Sequence, residues 1–268
     1  MRRFAWIVAT LALLVVGVTA YRLIAPRSNF LTMPTASNGI DYVLFVHVPP
    51  TCRNGGCEAL YVLDGLAWLP TFARLDDELS AQHRTAPLIL VGIAYRDALN
   101  TGDLRKHDFT PAFGRTPNRT GGAAAFLSVL RDEIIPFAEE RLPIDGRSRG
   151  LAGHSYAGLF ATYAFAEAPD LFDRYLVLSP ALWFDGGKIF EVDFAPDSTL
   201  RAVFLAADTP RNEGRSQMAS DAMRLADLMT GLPNVQVSRA TLMGESHNSM
   251  VEPAARRGLL ALYGEDEP

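Results

Sequence analysis

Ser155 stands in Arg149-Gly150-Leu151-Ala152-Gly153-His154-Ser155-Tyr156-Ala157-Gly158-Leu159-Phe160. An apolar strand leads in, an apolar helix leads out, and small residues occupy the places where a sharp turn needs them. The pattern approaches G-x-S-x-G, the nucleophile elbow, which holds a serine Oγ outward at the tip of a strand-to-helix turn. The first N–H groups of the following helix point at the same spot and favour negative charge there. A serine hydroxyl is a weak nucleophile alone, so the site also needs a base and donors for an oxyanion. The alternative is a tight turn that only happens to contain a serine. The strand before it, the helix after it and the partners downstream argue for the nucleophile.

The base follows by elimination among five histidines. His47 falls within a strand, His83 ends a surface helix, His107 lies in a long polar stretch, and His154 is inside the elbow, pointing away from its tip. His247 remains, in the polar run Gly244-Glu245-Ser246-His247-Asn248-Ser249 after the last strand. An imidazole there can take the serine proton and return it to a leaving group. The chain order nucleophile, acid, histidine is that of α/β-hydrolases. Two carboxylates follow the strand at Leu200 to Ala206, namely Asp208 and Glu213. Either could orient His247, or the pair could act as a dyad with no acid, and the sequence leaves these three open. The oxyanion donors expected are the N–H of Tyr156 and one from the turn after Leu63, from Leu66 or Gly65.

These groups need a frame. Asp41–Val48, Glu58–Leu63, Pro87–Ala94, the elbow strand, Tyr175–Leu178, Leu200–Ala206 and Val235–Leu242 read as strands. Helices are expected over Trp68–His83, Ala123–Arg141 with a kink at Pro136, the elbow helix to Ala168, Ser216–Thr230 and Val251–Tyr263. Arg96–Gly122 reads as a long polar loop. Strands alternating with helices imply an α/β fold, a mostly parallel sheet with helices on both faces. Reactive groups of such sheets gather at the carboxyl ends of the strands, where Asp64, Ser155 and His247 all fall.

Length and composition suit this frame. The chain has 268 residues, 49% apolar and 21% charged, with a net charge of −5. That charge leaves no basic footprint for nucleic acid. No G-x-G-x-x-G, P-loop or H-E-x-x-H motif appears, so no cofactor and no metal are expected. Arg2 and Arg3 precede an apolar run from Phe4 to Ala20, the order of an export signal. The run is also near the lower limit of a spanning helix. Residues 1–35 are therefore read as a cleaved signal or a membrane anchor plus spacer, the anchor tethering the chain through residues 4–20, and residues 36–268 as one domain. Cys52 and Cys57 enclose a short loop between two strands, read as a hairpin tip clipped by a disulfide. A disulfide fits an oxidising compartment, whereas a metal pair would need two further ligands that His47 alone does not supply.

Several stretches resemble one family. Leu60-Tyr61-Val62-Leu63-Asp64-Gly65, Asp108-Phe109-Thr110-Pro111, the elbow and Leu178-Ser179-Pro180-Ala181-Leu182-Trp183 together are similar to the putative esterase family of α/β-hydrolases. That family includes feruloyl and acetylxylan esterases, formylglutathione hydrolases, mycolyltransferases and siderophore esterases. The likeness, over Asp41 to Gly264, is strongest to periplasmic esterases that hydrolyse the trilactones enterobactin and salmochelin. It implies an exported serine esterase acting on a small-molecule ester, facing the periplasm or the cell exterior. It implies Ser155 as nucleophile and His247 as base, working there as a dyad without a well-placed acid. It also implies a substrate contact at Arg105, three residues before the Asp108 motif. Ala157 departs from the usual glycine, and the Cys52–Cys57 clip is not a family feature. An acyltransferase of the same fold, or a binding protein on a degenerate hydrolase fold, are the rival readings.

Overall fold

The structure is a computed structural model and describes residues 30–53, 56–97, 101–113, 120–194, 200–209 and 217–264. Eight strands form one sheet in the order β1-β2-β4-β3-β5-β6-β7-β8. They are β1 (Phe30–Thr32), β2 (Tyr42–His47), β3 (Cys57–Val62), β4 (Ile89–Tyr95), β5 (Ile144–His154), β6 (Arg174–Leu178), β7 (Arg201–Thr209) and β8 (Val235–Met243). From β4 to β8 every pairing is parallel, while β1 and β2 are antiparallel additions at one edge. The described helices are α1 (Gly65–Ala81), α2 (Thr101–Asp108), α3 (Ala123–Val129), α4 (Ile135–Arg141), α5 (Tyr156–Glu167), α6 (Gln217–Thr230) and α7 (Val251–Tyr263).

The central stretches of the interior strands, such as 59–62 on β3 and Ile89–Tyr95 on β4, are apolar on both faces because both faces are covered. On β3, Leu60 and Val62 pack with Phe72 and Leu75 of α1 and Ala254 and Leu259 of α7. Their neighbours Ala59 and Tyr61 point the other way, into the layer of α3, α5 and α6 that holds Phe126, Phe160 and Leu225. The elbow helix α5 reads as uniformly apolar because it is buried nearly all round, from Ala157 to Phe165.

Four expectations change. First, β2 and β3 are not a hairpin, because β4 lies between them in the sheet. The Cys52–Cys57 disulfide is present, but it clips the β2–β3 crossover connection at the start of β3. Local spacing could not tell a hairpin from a crossover, since both join strands through a short polar turn. Second, β1 pairs with β2 through Phe30↔Phe45 and Thr32↔Val43, so the sheet begins inside the stretch read as spacer. Third, the long polar stretch contains helix α2, whose mostly polar sequence carries no strong apolar stripe. Fourth, the irregularity expected at Pro136 is a π-helical turn over Leu130–Ile134, just before the proline, where the missing N–H is absorbed. Among the described residues no helix is long and apolar enough to cross a membrane, and residues 4–20 lie outside them.

Candidate active site

Ser155 follows β5 with φ 62° and ψ −119°, a backbone region rarely adopted by a side-chain-bearing residue. Its surroundings over-determine it. Its N–H donates to the Leu178 carbonyl at 3.0 Å, and its own carbonyl accepts from Ala181 N–H at 3.0 Å. The turn closes tightly enough that a Cβ on Gly153 would lie 2.2 Å from the Ala157 carbonyl oxygen. Glycine is therefore required at 153, whereas the family's second glycine is replaced by Ala157, which is fully buried without strain at φ.

His247 lies between β8 and α7, in a turn pinned by Gly244 N–H on Thr209 O at 2.9 Å and Met250 N–H on Ser246 O at 3.1 Å. Its Nδ1 is 3.4 Å from Asp208 Oδ1. Asp208 is next to last in β7, with its side chain buried. Ser179 fixes that carboxylate by donating its Oγ–H to Oδ1, and the same Oγ accepts the Asp208 N–H at 3.1 Å. Of the two acids proposed, Asp208 is thus beside His247, and Glu213 lies outside the described residues.

His154 is the residue that sequence reasoning set aside and the structure puts to use. Its buried ring meets the His247 backbone carbonyl through Nε2 at 2.8 Å and lies 4.4 Å from the His247 ring, centroid to centroid. A carbonyl only accepts, so Nε2 carries the hydrogen. Burial, followed by the neighbouring His247, pushes the His154 imidazole down to about 3, so it stays neutral and holds the turn as a fixed donor. Its place inside the elbow was the available signal, because a polar ring under a tight turn has to find a partner.

Gly65 and Leu66, the two oxyanion candidates on α1, differ in placement. Gly65 is buried against β4, where a Cβ would lie 2.3 Å from Gly92 C, so its smallness serves helix–strand contact. Leu66 faces the cavity that Ser155 lines. Tyr156 opens α5, and N–H groups in the first turn of a helix have no acceptor within it.

Arg105 is on α2, not in a loop, and is already engaged. Its Nε is 2.8 Å from both Asp64 oxygens, and one terminal nitrogen donates to the His154 carbonyl at 3.2 Å. Its guanidinium also lies 5.6 Å from the Tyr156 ring centre. Asp64 has left-handed φ (54°) and caps α1, and burial raises its carboxyl while Arg105 pulls it back. Asp108 of the family-like motif is an anchor: buried, it accepts the Tyr42 hydroxyl at 2.7 Å. A cavity of about 430 Å³ gathers Asp64, Leu66, Trp68, Arg105, Ser155 and His247 along its wall. That volume is within the range of small-molecule sites.

The chain order serine, carboxylate, histidine on this sheet separates α/β-hydrolases from the other serine-hydrolase plans. By fold and by the placement of these groups, the protein is an α/β-hydrolase. It belongs to the putative esterase family, whose model matches residues 35–235, a range that includes Ser155 and stops short of His247. The apo-salmochelin esterase of Escherichia coli (strain CFT073) is 35% identical over 153 residues, which span 53% of this chain and 47% of that protein. The ferri-bacillibactin esterase BesA of Bacillus subtilis is 24% identical over 274 residues, covering 94% of this chain and 95% of the relative. Among solved structures, the BES protein from Bacillus cereus superposes with a TM-score of 0.79 at 25% identity, over 89% of this chain and 96% of that one.

Proposed function

We propose that this protein is an exported serine esterase that opens ester bonds of a siderophore, with a catecholate trilactone as the leading substrate class. One observation carries the reading: Ser155, held at positive φ, faces one cavity together with His247 and Arg105. The relatives named for salmochelin and bacillibactin hydrolysis support the substrate class.

In this reading the Ser155 Oγ attacks the ester carbonyl while His247 Nε2 takes its proton. The N–H groups of Tyr156 and Leu66 receive the charge that develops on the carbonyl oxygen. Asp208 stabilises the imidazolium through Nδ1, aided by Ser179, so a carboxylate joins the serine–histidine pair. His247 then protonates the departing alkoxide, and water, deprotonated by the same ring, releases the acid from Ser155. Arg105 contributes a cationic wall that suits an anionic ester, although its first partner is Asp64. The basic-then-apolar start of the chain and the Cys52–Cys57 disulfide support export to an oxidising compartment.

A fluorophosphonate probe tests the nucleophile. It is expected to label the wild type and not Ser155→Ala, and a folded Ser155→Ala protein that kept its label would overturn the assignment. Side-by-side hydrolysis of a catecholate trilactone and p-nitrophenyl acetate tests the substrate class. The trilactone should have the higher kcat/KM, and a preference for the neutral ester would remove the siderophore reading while leaving the esterase.

A further inference from the structure

The amino edge of the sheet, opposite to Ser155, carries a second cluster of titratable groups. His47 closes β2, and Asp76 and Asp77 are adjacent near the end of α1. His47 Nε2 is 3.0 Å from Asp77 Oδ1 and 3.9 Å from Asp76 Oδ2. One donor atom from each of the three residues lies within 4.8 Å of the other two.

Asp76 is the unusual member. It stands on the apolar face of α1, four residues after Phe72 and three before Leu79, and is 1% exposed. Its Oδ1 accepts the Leu88 N–H at 3.1 Å. Among the described residues its Oδ2 has no hydrogen-bond partner, and 3.9 Å to the imidazole is too long for one. A buried carboxylate oxygen left in this way is costly unless a cation or a proton meets it. No arginine or lysine pairs with either aspartate among the described residues.

We propose that His47, Asp76 and Asp77 bind one divalent transition-metal ion, zinc by the chemistry of the donors, between β2 and α1. A tetrahedral ion with bonds of roughly 2.1 Å holds its ligands about 3.4 Å apart. The two separations from His47, 3.0 and 3.9 Å, bracket that value, and the donor atoms of Asp76 and Asp77 lie within 4.8 Å of each other, so the three can converge on one ion by side-chain rotation. An imidazole nitrogen with two carboxylates suits zinc better than magnesium or calcium, which prefer all-oxygen shells. The Asp77 side chain is 59% exposed, which leaves an entry path and room for a water as fourth ligand. The ion ties the end of antiparallel strand β2 to α1, at the same amino edge of the sheet as the Cys52–Cys57 disulfide. The two cross-links meet at one segment, because Cys52 Sγ approaches the Pro87 carbonyl at 3.9 Å and Asp76 holds Leu88.

The test is calorimetric titration of the chelator-treated full chain with zinc chloride, and separately with magnesium and calcium chloride. One zinc per chain is expected, with no comparable uptake of the other two. His47→Ala and Asp77→Asn should each weaken that binding at least tenfold. Asp77→Asn changes an exposed side chain, so it keeps the fold and should leave p-nitrophenyl acetate hydrolysis unchanged. Absence of a zinc isotherm for the wild type would overturn the proposal and leave His47 and Asp77 as a simple ion pair. Equal zinc affinity in the wild type and both variants would also overturn it, by assigning the uptake to other histidines.

Discussion

Helix α1 has an aspartate near each end, Asp64 largely covered and Asp76 fully buried, and the two are handled differently. Asp64, at its amino end, has the helix N-terminus behind it and the Arg105 guanidinium across it at 2.8 Å. Asp76, toward its carboxyl end, has a single backbone N–H and a histidine that does not reach it. Burial raises both carboxyls, and that of Asp76 is pushed up to about 7. Burial alone therefore does not tell a working site from a latent one; the partner does. At the carboxyl edge the paired Asp64 fixes the turn that leads to Leu66 and, through Arg105, the carbonyl just before Ser155. At the amino edge the unpaired Asp76 is free to hold a proton or an ion.

The largest expected effect breaks this comparison at Asp76. The group's folded value of about 7 exceeds the unfolded 3.8. Below both values the proton is bound in either state, and nothing is lost. As pH rises from about 4 to 7 the unfolded chain releases its proton while the folded chain keeps it, so stability falls, by on the order of 4 kcal/mol. Asp76→Asn keeps the Leu88 contact and carries no charge. In metal-free protein its Tm should exceed the wild type's at pH 8, and the gap should close near pH 4. A gap independent of pH would mean that Asp76 is not held protonated.

Removing the partner at the other end of α1 should act in the opposite sense. Arg105→Ala leaves the largely covered Asp64 without its cationic partner, a change worth at most about 3 kcal/mol of stability. Because Arg105 also holds the His154 carbonyl, activity should fall on neutral and anionic esters alike, with a further loss on the anionic one. Urea midpoints and kcat/KM on both substrates check this. A loss confined to the anionic ester would make Arg105 a substrate contact with no structural part.

Asp208→Asn sharpens the carboxyl edge. It should lower kcat/KM by about 10- to 100-fold with little change in Tm, as the loss of one oriented charged hydrogen bond predicts. A loss under threefold would restore the two-residue serine–histidine plan. Reduction of Cys52–Cys57 should have the smallest effect. The short loop limits it to about 2 kcal/mol in the chain-entropy view. The disulfide opens β3 at the end away from Asp64, so thermal scans with and without reductant should shift while ester hydrolysis does not.

Where the geometry depended on neighbours in the chain, the sequence was sufficient. The elbow around Ser155 is local: glycine at 153, a strand before and a helix after define the turn whatever packs around it. The alternation of strands and helices implied a mostly parallel sheet, and chain order pointed to His247 as the candidate base. What depended on distant residues was not legible. Asp208 and Glu213 follow the same strand, and only the approach of β7 to the turn after β8 brought Asp208 to 3.4 Å from His247. His154 looked idle until the His247 carbonyl arrived above it. Arg105 looked like a free loop cation until α2 folded it onto Asp64, 41 residues earlier. The hairpin expected around the cysteines is a crossover because β4, which follows both strands in the chain, lies between β2 and β3 in the sheet. His47 and Asp76 are 29 positions apart and carry no shared motif, so only the packing of α1 beside the end of β2 brings them within 3.9 Å. Local turns are set by sterics between neighbouring residues, whereas pairings of charge are set by whichever surfaces the packing brings together.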